Sequence, residues 1–474
     1  MKDIMTNRVL RIFEKLNTYP RESGNEKAVS HYIASWAAEK GFDVVQDDYM
    51  NLIIRKPATA GFEDRDPVIL QAHMDMVCEK NSDSSHDFSS DPISLKVEGD
   101  WLMSACGTSL GADNGIGVAA AMAVLEDEDA QHPPLEVVFT VEEETSFAGA
   151  ENVDISSLKA TRMINLDHAC EHEVIAGSCG GTGVEFTMPL ERCSDFAGDA
   201  KAYRITVTGL MGGHSGEDIH RGRGNAITLL IRLLENPVFS VVSISGGTNR
   251  LAIPREASAV VLAESREAAL EAVNSAKAAF RREYGAVAPD LDIILEDAEF
   301  ALPLRAESFA KIAAAVRLYP NGIVSMNGSF ENTVESSDNI GIISTEGDVL
   351  SLTSEIRGAY RTTVDSIAAT VDALAGLLGA EVRYFNGYVP WEYKDESAMK
   401  ELAIKVYGEL YGEKMNCIAL HAGLECGFFA EKKPELDIIS IGPDCIYFHS
   451  PQERASIPSI LRFYDFLKEL LRQA

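Results

Sequence analysis

Residues 68–75 read Val-Ile-Leu-Gln-Ala-His-Met-Asp, a mainly apolar run that ends on an imidazole and a carboxylate. A short apolar run of this kind is typical of a buried strand. The surrounding chain alternates strands with helices: we predict helices at residues 26–40 and 115–125, and strands at residues 135–141 and 162–166. Such alternation favours parallel pairing. We therefore predict an α/β fold with a mixed, mainly parallel sheet and helices on both faces.

Ligand-type side chains follow each of these predicted strands, and one more precedes the helix at residues 115–125. They form four clusters: His73 with Asp75, Asp113, Glu142 to Glu144, and Asp167 with His168. In open α/β sheets, ligands bind at the edge formed by the carboxyl ends of the strands. Four clusters within about 100 residues therefore indicate a single site at that edge.

The residue types in these clusters match a site for two divalent metals. Carboxylates and imidazoles are ligands of zinc and manganese, and one carboxylate can bridge two ions about 3.5–4 Å apart. Asp75 follows His73 at a spacing that lets it hydrogen-bond the imidazole and fix its tautomer. Glu143 and Glu144 alternate in direction at a strand end. One can therefore bind a metal while the other faces the substrate as a base.

The sequence pattern changes after residue 183. Residues 184–386 combine alternating strands with long alanine-rich helices, which predicts an α+β domain. The tail, residues 387–474, has too few predicted strands for a core of its own, so we expect it to return to the first domain. The predicted organisation is a catalytic domain, residues 1–183 and 387–474, interrupted by an inserted domain at residues 184–386.

The composition limits the classes of partner. The chain has 42 Lys+Arg against 73 Asp+Glu, a formal net charge of −31, which disfavours nucleic acid and anionic membranes. Residues 1–16 predict an amphipathic helix and not a signal peptide. The longest apolar run, residues 116–125, is shorter than the roughly 20 residues that span a bilayer. Eight cysteines without a Cys-x-x-Cys pair indicate reduced thiols, so we expect a cytoplasmic protein.

Eight short segments match the motifs of one family, in the same order and along nearly the whole chain. They are residues 73–77, 109–117, 142–150, 165–167, 211–216, 253–256, 421–427 and 441–451. By these segments the chain resembles the M20 metallopeptidases, and within them the dipeptidase branch. The resemblance implies a homodimeric two-metal hydrolase that cleaves dipeptides, Xaa-His and broader, with metal-activated water and a glutamate base. Its partner would be a small peptide substrate.

The resemblance also implies a role for each site residue. Five would be metal ligands: Asp113 as the bridge, His73 and Asp167 at one ion, and Glu144 and His449 at the other. The ions would be zinc, with manganese or cobalt as alternatives. Glu143 would be the general base, and Asp75 would orient His73. His214, on the inserted domain that acts as a lid, would polarise the scissile carbonyl and can come from the partner subunit.

Two backbone and side-chain details follow from the same resemblance. The family holds the peptide after the bridging aspartate in cis, which predicts a cis bond between Asp113 and Asn114. Related sequences also place an asparagine three residues before the proline of residues 253–256. This chain has Leu251 there, and Asn249 two residues earlier, so the substrate-binding role of that asparagine is not carried over.

From the residues alone, several assignments stay open. Two ligands have rivals, namely His168 or His172 for Asp167, and His421 for His449. Arg357 can either clamp a substrate carboxylate bidentately or form a structural ion pair. The rival functions are an N-acyl-amino-acid deacylase or a tripeptidase on the same scaffold, a non-catalytic binding protein, and a thiol enzyme.

Overall fold

The computed structural model describes residues 6–194 and 200–474, so the first five residues of the predicted N-terminal helix lie outside the described part. The helices are α1 (Arg8–Leu16), α2 (Lys27–Glu39), α3 (Ala112–Glu126), α4 (Ala148–Asn152), α5 (Ala226–Leu234), α6 (Arg266–Tyr284), α7 (Ala306–Leu318), α8 (Arg361–Leu378), α9 (Ala398–Tyr411), α10 (Cys426–Lys432) and α11 (Ile457–Gln473). Within the described ranges, no helix combines the length and the apolar character needed to cross a membrane.

The strands are short in the first third of the chain and longer in the middle. They are β1 (Asp43–Gln46), β2 (Leu52–Lys56), β3 (Val68–His73), β4 (Leu95–Glu98), β5 (Trp101–Ser104), β6 (Leu135–Thr140), β7 (Arg162–Asn165), β8 (Glu173–Ser178), β9 (Gly180–Pro189), β10 (Lys201–Thr208), β11 (Gly213–His214), β12 (Ser240–Gly246), β13 (Ala252–Ile253), β14 (Ala257–Ala263), β15 (Asp292–Asp297), β16 (Gly322–Met326), β17 (Val334–Glu346), β18 (Val349–Gly358), β19 (Glu381–Tyr388), β20 (Asn416–Leu420), β21 (Asp437–Ser440), β22 (Cys445–Ile446) and β23 (Arg454–Ser456).

The chain divides into two compact units. Unit 1 comprises the chain up to Ser178 together with residues 393–419 and 424–474, and unit 2 comprises residues 179–392 and 420–423. The predicted boundaries at residues 183/184 and 386/387 lie close to these limits. The short excursion of residues 420–423 into unit 2 has no counterpart in the sequence-based division.

Unit 1 is built on a mixed sheet with the strand order β1-β2-β6-β3-β7-β21-β8-β20. The four central strands β6, β3, β7 and β21 are parallel, whereas β1, β2 and β8 pair in antiparallel fashion. Every residue of β3 and β6 is buried, as expected for parallel strands covered on both faces. Helices α3 and α9 pack against β3 and β21. The predicted α/β class with a mainly parallel centre is confirmed.

The parallel centre determines where the polar clusters come together. The carboxyl ends of β3, β6 and β7 meet at one edge of the sheet, because the register pairs His73 with Thr140 and Gln71 with Asn165. Helix α3 is brought to this edge by a turn at Gly111, which has a left-handed φ of 69°. A Cβ at this position would lie 2.2 Å from Nη2 of Arg21. Glycine therefore meets both the conformational and the steric requirement of this turn.

Unit 2 has a different architecture. Its large sheet has the order β15-β10-β14-β12-β17-β18-β9-β19, with β16 added beside β17, and its neighbouring strands pair antiparallel. Helices α5, α6, α7 and α8 contribute apolar side chains to one core with this sheet. This is the α+β arrangement expected from its alternating strands and alanine-rich helices.

Candidate metal centre

The side chains predicted as ligands converge at the carboxyl edge of the unit 1 sheet. His73 Nε2 lies 3.1 Å from Asp113 Oδ1 and 3.3 Å from Asp167 Oδ1. His449 Nε2 lies 3.3 Å from the other Asp113 oxygen, Oδ2, and 3.0 Å from Glu144 Oε2. The two oxygens of Asp113 therefore face two separate groups of ligand-type atoms.

These spacings fit metal coordination. Two ligand atoms that each lie about 2.0–2.1 Å from a tetrahedral zinc ion are about 3.3–3.4 Å apart, close to the 3.0–3.3 Å found in both groups. In addition, the buried Oε1 of Glu144 has no hydrogen-bond partner among the described residues. A buried polar atom of this kind requires a partner, and a cation would supply it. The residues present therefore fit two divalent cations that share Asp113.

Asp75 contacts a residue of each ligand group, namely His73 in one group and Glu144 in the other. It is fully buried, and its Oδ1 lies 3.3 Å from Nδ1 of His73, which directs Nε2 of that ring to the ligand group. The same carboxylate accepts the backbone N–H groups of Glu143 and Glu144, both at 3.1 Å, and the Ser23 hydroxyl at 2.8 Å. Burial opposes its charge, but His73 and these hydrogen bonds lower the pKa of Asp75.

The site is rich in buried negative charge. Burial raises the pKa of Glu143 well above its usual range. Burial and the Asp113 carboxylate raise the pKa of Glu144 to about 7, and burial raises that of Asp167 to about 6. On His449, burial is outweighed by Asp113 and Glu144, which raise the ring pKa to about 11. Burial and the excess of carboxylates over cations both disfavour the charged form of these acids, and bound metal ions would relieve that cost.

The segment that presents Asp113 is held by an acid that the sequence analysis did not identify. The peptide bond between Asp113 and Asn114 is cis, which confirms the expectation drawn from the family. Glu453 accepts the backbone N–H groups of four consecutive residues, 110 to 113, at 2.7–3.4 Å. Nothing local marks Glu453 in the sequence, because its partners are backbone groups about 340 residues away.

Replacing Glu453 by alanine is expected to destabilise unit 1 and to disturb the site. The change would leave four backbone N–H groups without this acceptor, three of them in buried contacts, and even one buried unpaired group costs about 1–3 kcal/mol. We expect the free energy of unfolding in urea to fall by about 3 kcal/mol or more. The neighbouring Gln452→Ala variant, at an exposed position, serves as the matched control and should change it by less than about 0.5 kcal/mol. Equal stability of the two variants would show that Glu453 does not support the loop.

A second buried acid, Glu425, accepts hydrogen bonds from side chains at the carboxyl edge of the unit 1 sheet. It lies within the segment at residues 421–427, where no local sequence pattern predicts a role for it. One oxygen accepts hydrogen bonds from Gln71 on β3 and from Thr140 at the end of β6. Burial raises the pKa of Glu425 to about 7. Glu425 therefore links β3, which carries His73, to the end of β6, which precedes Glu143.

The rival histidines have other partners. His168 Nε2 lies 3.2 Å from Glu173 Oε2, and His172 Nδ1 lies 2.8 Å from the Tyr407 hydroxyl. Neither of these two histidines belongs to the ligand group of His73, whereas Asp167 does. The remaining rival, His421, belongs to unit 2. Its Nδ1 lies 3.0 Å from Cys179 Sγ, and its Nε2 lies 2.7 Å from Ser337 Oγ.

The burial of His421 predicts a pH-dependent stability. Burial, with Arg357 and His214 nearby, lowers the pKa of His421 from 6.5 to about 3. The unfolded chain therefore binds a proton below about pH 6.5 that the folded chain refuses until about pH 3, so stability is lost as the pH falls through this window. We expect a loss of about 2 kcal/mol between pH 7 and pH 5. Denaturant unfolding should show this loss in the parent chain and not in His421→Gln; identical pH slopes would refute it.

Unit 2 also places His214 and Arg357. His214 Nδ1 accepts the backbone N–H groups of Gly216 and Glu217 at 3.3 and 3.2 Å, so the ring proton is assigned to Nε2. Arg357 is buried and donates hydrogen bonds to the Tyr388 hydroxyl at 2.7 Å and to Ser215 Oγ at 3.5 Å. The imidazole is thus set as a hydrogen-bond donor through Nε2.

Comparison with known proteins agrees with the motifs. Residues 69–473 match peptidase family M20/M25/M40. The chain is 38% identical over 469 residues to the cytosol non-specific dipeptidase of Escherichia coli, a match that covers 98% of this chain and 96% of that protein. The crystal structure of aminoacylhistidine dipeptidase from Vibrio alginolyticus matches with a TM-score of 0.87 and 36% identity, over 99% of this chain and 98% of that one.

A more distant structure shares the fold alone. A tripeptidase from Staphylococcus aureus matches with a TM-score of 0.59 and 16% identity, over 98% of this chain and 97% of that chain. The family match covers most of the chain, and the E. coli relative exceeds one third identity over nearly its full length. The resemblance seen in the sequence is therefore confirmed: the chain belongs to peptidase family M20/M25/M40 and is a peptide-bond hydrolase.

Proposed function

We propose that the protein is a metallo-dipeptidase that hydrolyses Xaa-His and other dipeptides. The observation that carries this proposal is Asp113, whose two oxygens each face a different histidine. The names of the E. coli and Vibrio relatives support the dipeptide substrate class, and the E. coli name also supports a cytoplasmic location. The homodimer implied by the resemblance is part of the proposal.

The two cations would be held by five side chains of unit 1. His73 and Asp167 would hold one ion, Glu144 and His449 would hold the other, and Asp113 would be shared by both. When bound, divalent cations (zinc, with manganese or cobalt as alternatives) supply a Lewis acid for the scissile carbonyl and lower the pKa of water. Asp75 keeps the His73 ring in the tautomer that directs Nε2 to the ion.

Glu143 is the proposed general base. Its Oε2 lies 3.9 Å from His73 Nε2, farther than the nearest oxygens of Asp113 and Asp167, so Glu143 lies beside the ligand group of His73. Burial raises its pKa, which brings the proton affinity of the carboxylate closer to that required of a base at neutral pH. Glu143 would accept a proton from the attacking water and deliver it to the leaving amine.

Two residues of unit 2 complete the proposal. The Nε2–H group of His214 would donate a hydrogen bond to the carbonyl oxygen as negative charge develops on it, from the same chain or from the partner subunit. Arg357 would bind the terminal carboxylate of the peptide, because a guanidinium presents parallel N–H donors that match a carboxylate. Unit 2 would act as a lid that excludes water from the reaction.

Hydrolysis of a substrate panel before and after chelation tests this function. The panel consists of β-alanyl-histidine, α-dipeptides, tripeptides and acetyl-amino acids. We expect the dipeptides to be cleaved fastest and chelation to abolish the activity. Faster cleavage of tripeptides or of acetyl-amino acids would favour the tripeptidase or the deacylase instead. Chelator-resistant activity that alkylation inactivates would indicate a thiol enzyme, although burial raises the pKa of the Cys426 thiol well above its usual range.

A further inference from the structure

A second group of ligand-type side chains lies on the loop between β7 and β8. His168 Nε2 is 3.2 Å from Glu173 Oε2, and the Cys170 sulfur lies within 4.8 Å of a ring nitrogen of His168 and of a carboxylate oxygen of Glu173. None of these three residues belongs to the proposed two-metal centre, and the proposed hydrolysis uses none of them. The group therefore requires an explanation of its own.

The loop that carries this group is fixed by backbone contacts. The Cys445 N–H donates to the Ala169 carbonyl at 3.2 Å, and the Glu173 N–H donates to the Cys170 carbonyl at 3.3 Å. A Cβ at Gly442 would lie only 1.7 Å from the His168 carbonyl oxygen, so the two backbones are in close contact. Glu173 is also the first residue of β8. The three side chains are thus presented from a preorganised backbone, which reduces the ordering cost of binding an ion.

The chemistry of the group selects a class of ion. A separation of 3.2 Å between imidazole nitrogen and carboxylate oxygen is close to the roughly 3.3 Å expected for two ligands of one tetrahedral zinc ion. A thiolate favours zinc, cobalt and cadmium over the hard ions magnesium and calcium. Burial, and after it the carboxylates of Glu173, Asp444 and Glu171, raise the pKa of the Cys170 thiol, and a bound cation would offset this negative field.

An adjacent group is less suitable for an ion. Glu171, His172 and Asp444 also bring ligand atoms within 4.8 Å of one another. However, Arg462 Nε lies 3.3 Å from Glu171 Oε1 and places a positive charge at that group. His172 Nδ1 is in hydrogen-bond contact with the Tyr407 hydroxyl at 2.8 Å. The two groups therefore differ in charge, and the group with the thiol is the better site.

We propose that His168, Cys170 and Glu173 form a third cation site, selective for thiophilic divalent ions of the zinc type. Three protein ligands leave one tetrahedral position for water. Binding requires the thiolate, so Cys170 releases its proton to solvent as the ion enters. Because His168 follows Asp167 directly, an ion at this site holds the backbone that presents Asp167. The proposal does not depend on the dipeptidase assignment.

Cobalt absorption provides a direct test. None of the five proposed ligands of the two-metal centre is a cysteine, so a thiolate-to-cobalt charge-transfer band in the near ultraviolet reports on the third site alone. Cobalt is titrated into the chelated full-length protein. We expect the band in the parent chain and in the control Cys417→Ser, a half-buried thiol elsewhere in unit 1. Cys170→Ser should lose the band, and Glu173→Gln should weaken cobalt binding at least about tenfold.

Two further arms keep the result unambiguous. His449→Ala, which removes a proposed ligand of the two-metal centre, should retain the band, so failure of the dipeptidase proposal is distinguishable from failure of this one. Zinc added to the cobalt form should remove the band. Circular dichroism verifies that each variant is folded. The proposal is overturned if the parent chain shows no band, if the band appears only at millimolar cobalt, or if it persists in folded Cys170→Ser.

Discussion

Glu143→Gln is expected to lower kcat for dipeptide hydrolysis by about a thousandfold, while two cations per chain remain bound. Glutamine has the size of the acid but cannot accept the proton of the attacking water, and a positioned base contributes about 10²–10⁴ in rate. The measurement pairs steady-state kinetics with elemental analysis of the purified chain, carried out in the Cys170→Ser background so that the proposed third site does not contribute to the count. Glu142→Gln is the matched control, since Glu142 is adjacent in sequence and its side chain accepts a hydrogen bond from Ser146.

The two readouts separate three outcomes. A large loss of kcat with unchanged metal content supports Glu143 as the base. Loss of a cation together with activity would mean that Glu143 is a ligand. Its 3.9 Å distance from His73 Nε2 would then have to shorten when the ion binds. A variant within tenfold of the parent kcat would remove Glu143 from the mechanism. The Glu142→Gln control should stay within about twofold of the parent, because Glu142 is half-buried and belongs to neither of the two ligand groups.

Asp113→Ala is expected to abolish measurable turnover and to reduce the cation content below one per chain. Its two oxygens face His73 and His449 separately, so one substitution weakens both positions at once. His449→Ala removes a ligand from only one group and should leave about one cation per chain. Elemental analysis after dialysis distinguishes the two variants, both made in the Cys170→Ser background so that the proposed third site does not contribute to the count.

The acidic residue Asp129 provides the control for charge alone. It is exposed, and Asp129→Asn removes the same charge without touching the site, so its metal content and activity should match those of the parent. If Asp113→Ala kept two cations per chain, Asp113 would not be a bridge. If His449→Ala lost both cations, the two groups would not be separable in the way the geometry predicts.

The convergence of the site could be predicted because it follows from local rules. Strands at residues 68–73 and 135–140 end on polar residues, and parallel pairing places those ends side by side. The cis bond at Asp113 and the choice of His449 over His421 required the family resemblance, because no local pattern distinguishes them. In the structure the bond is cis, and His449 Nε2 lies 3.0 Å from Glu144 Oε2.

The supporting acids could not be predicted, because their partners are distant in sequence. Glu453 binds backbone N–H groups, which every residue has, so no residue type in the sequence marks the pairing. Glu425 reaches Thr140, 285 residues away. The same reasoning applies to His421, whose segment at residues 420–423 joins unit 2 through long-range contacts. Contacts of this kind depend on the tertiary fold and not on local periodicity.

The most direct test of the two-metal dipeptidase returns cations to the chelated chain stepwise and measures bound metal and dipeptide hydrolysis in the same samples. Zinc is the first ion to use, in the Cys170→Ser background so that the proposed third site does not contribute to the count. We predict that two equivalents bind and that activity reaches its maximum only with the second. Full activity with one equivalent, or activity that chelation does not remove, would contradict the shared-aspartate centre.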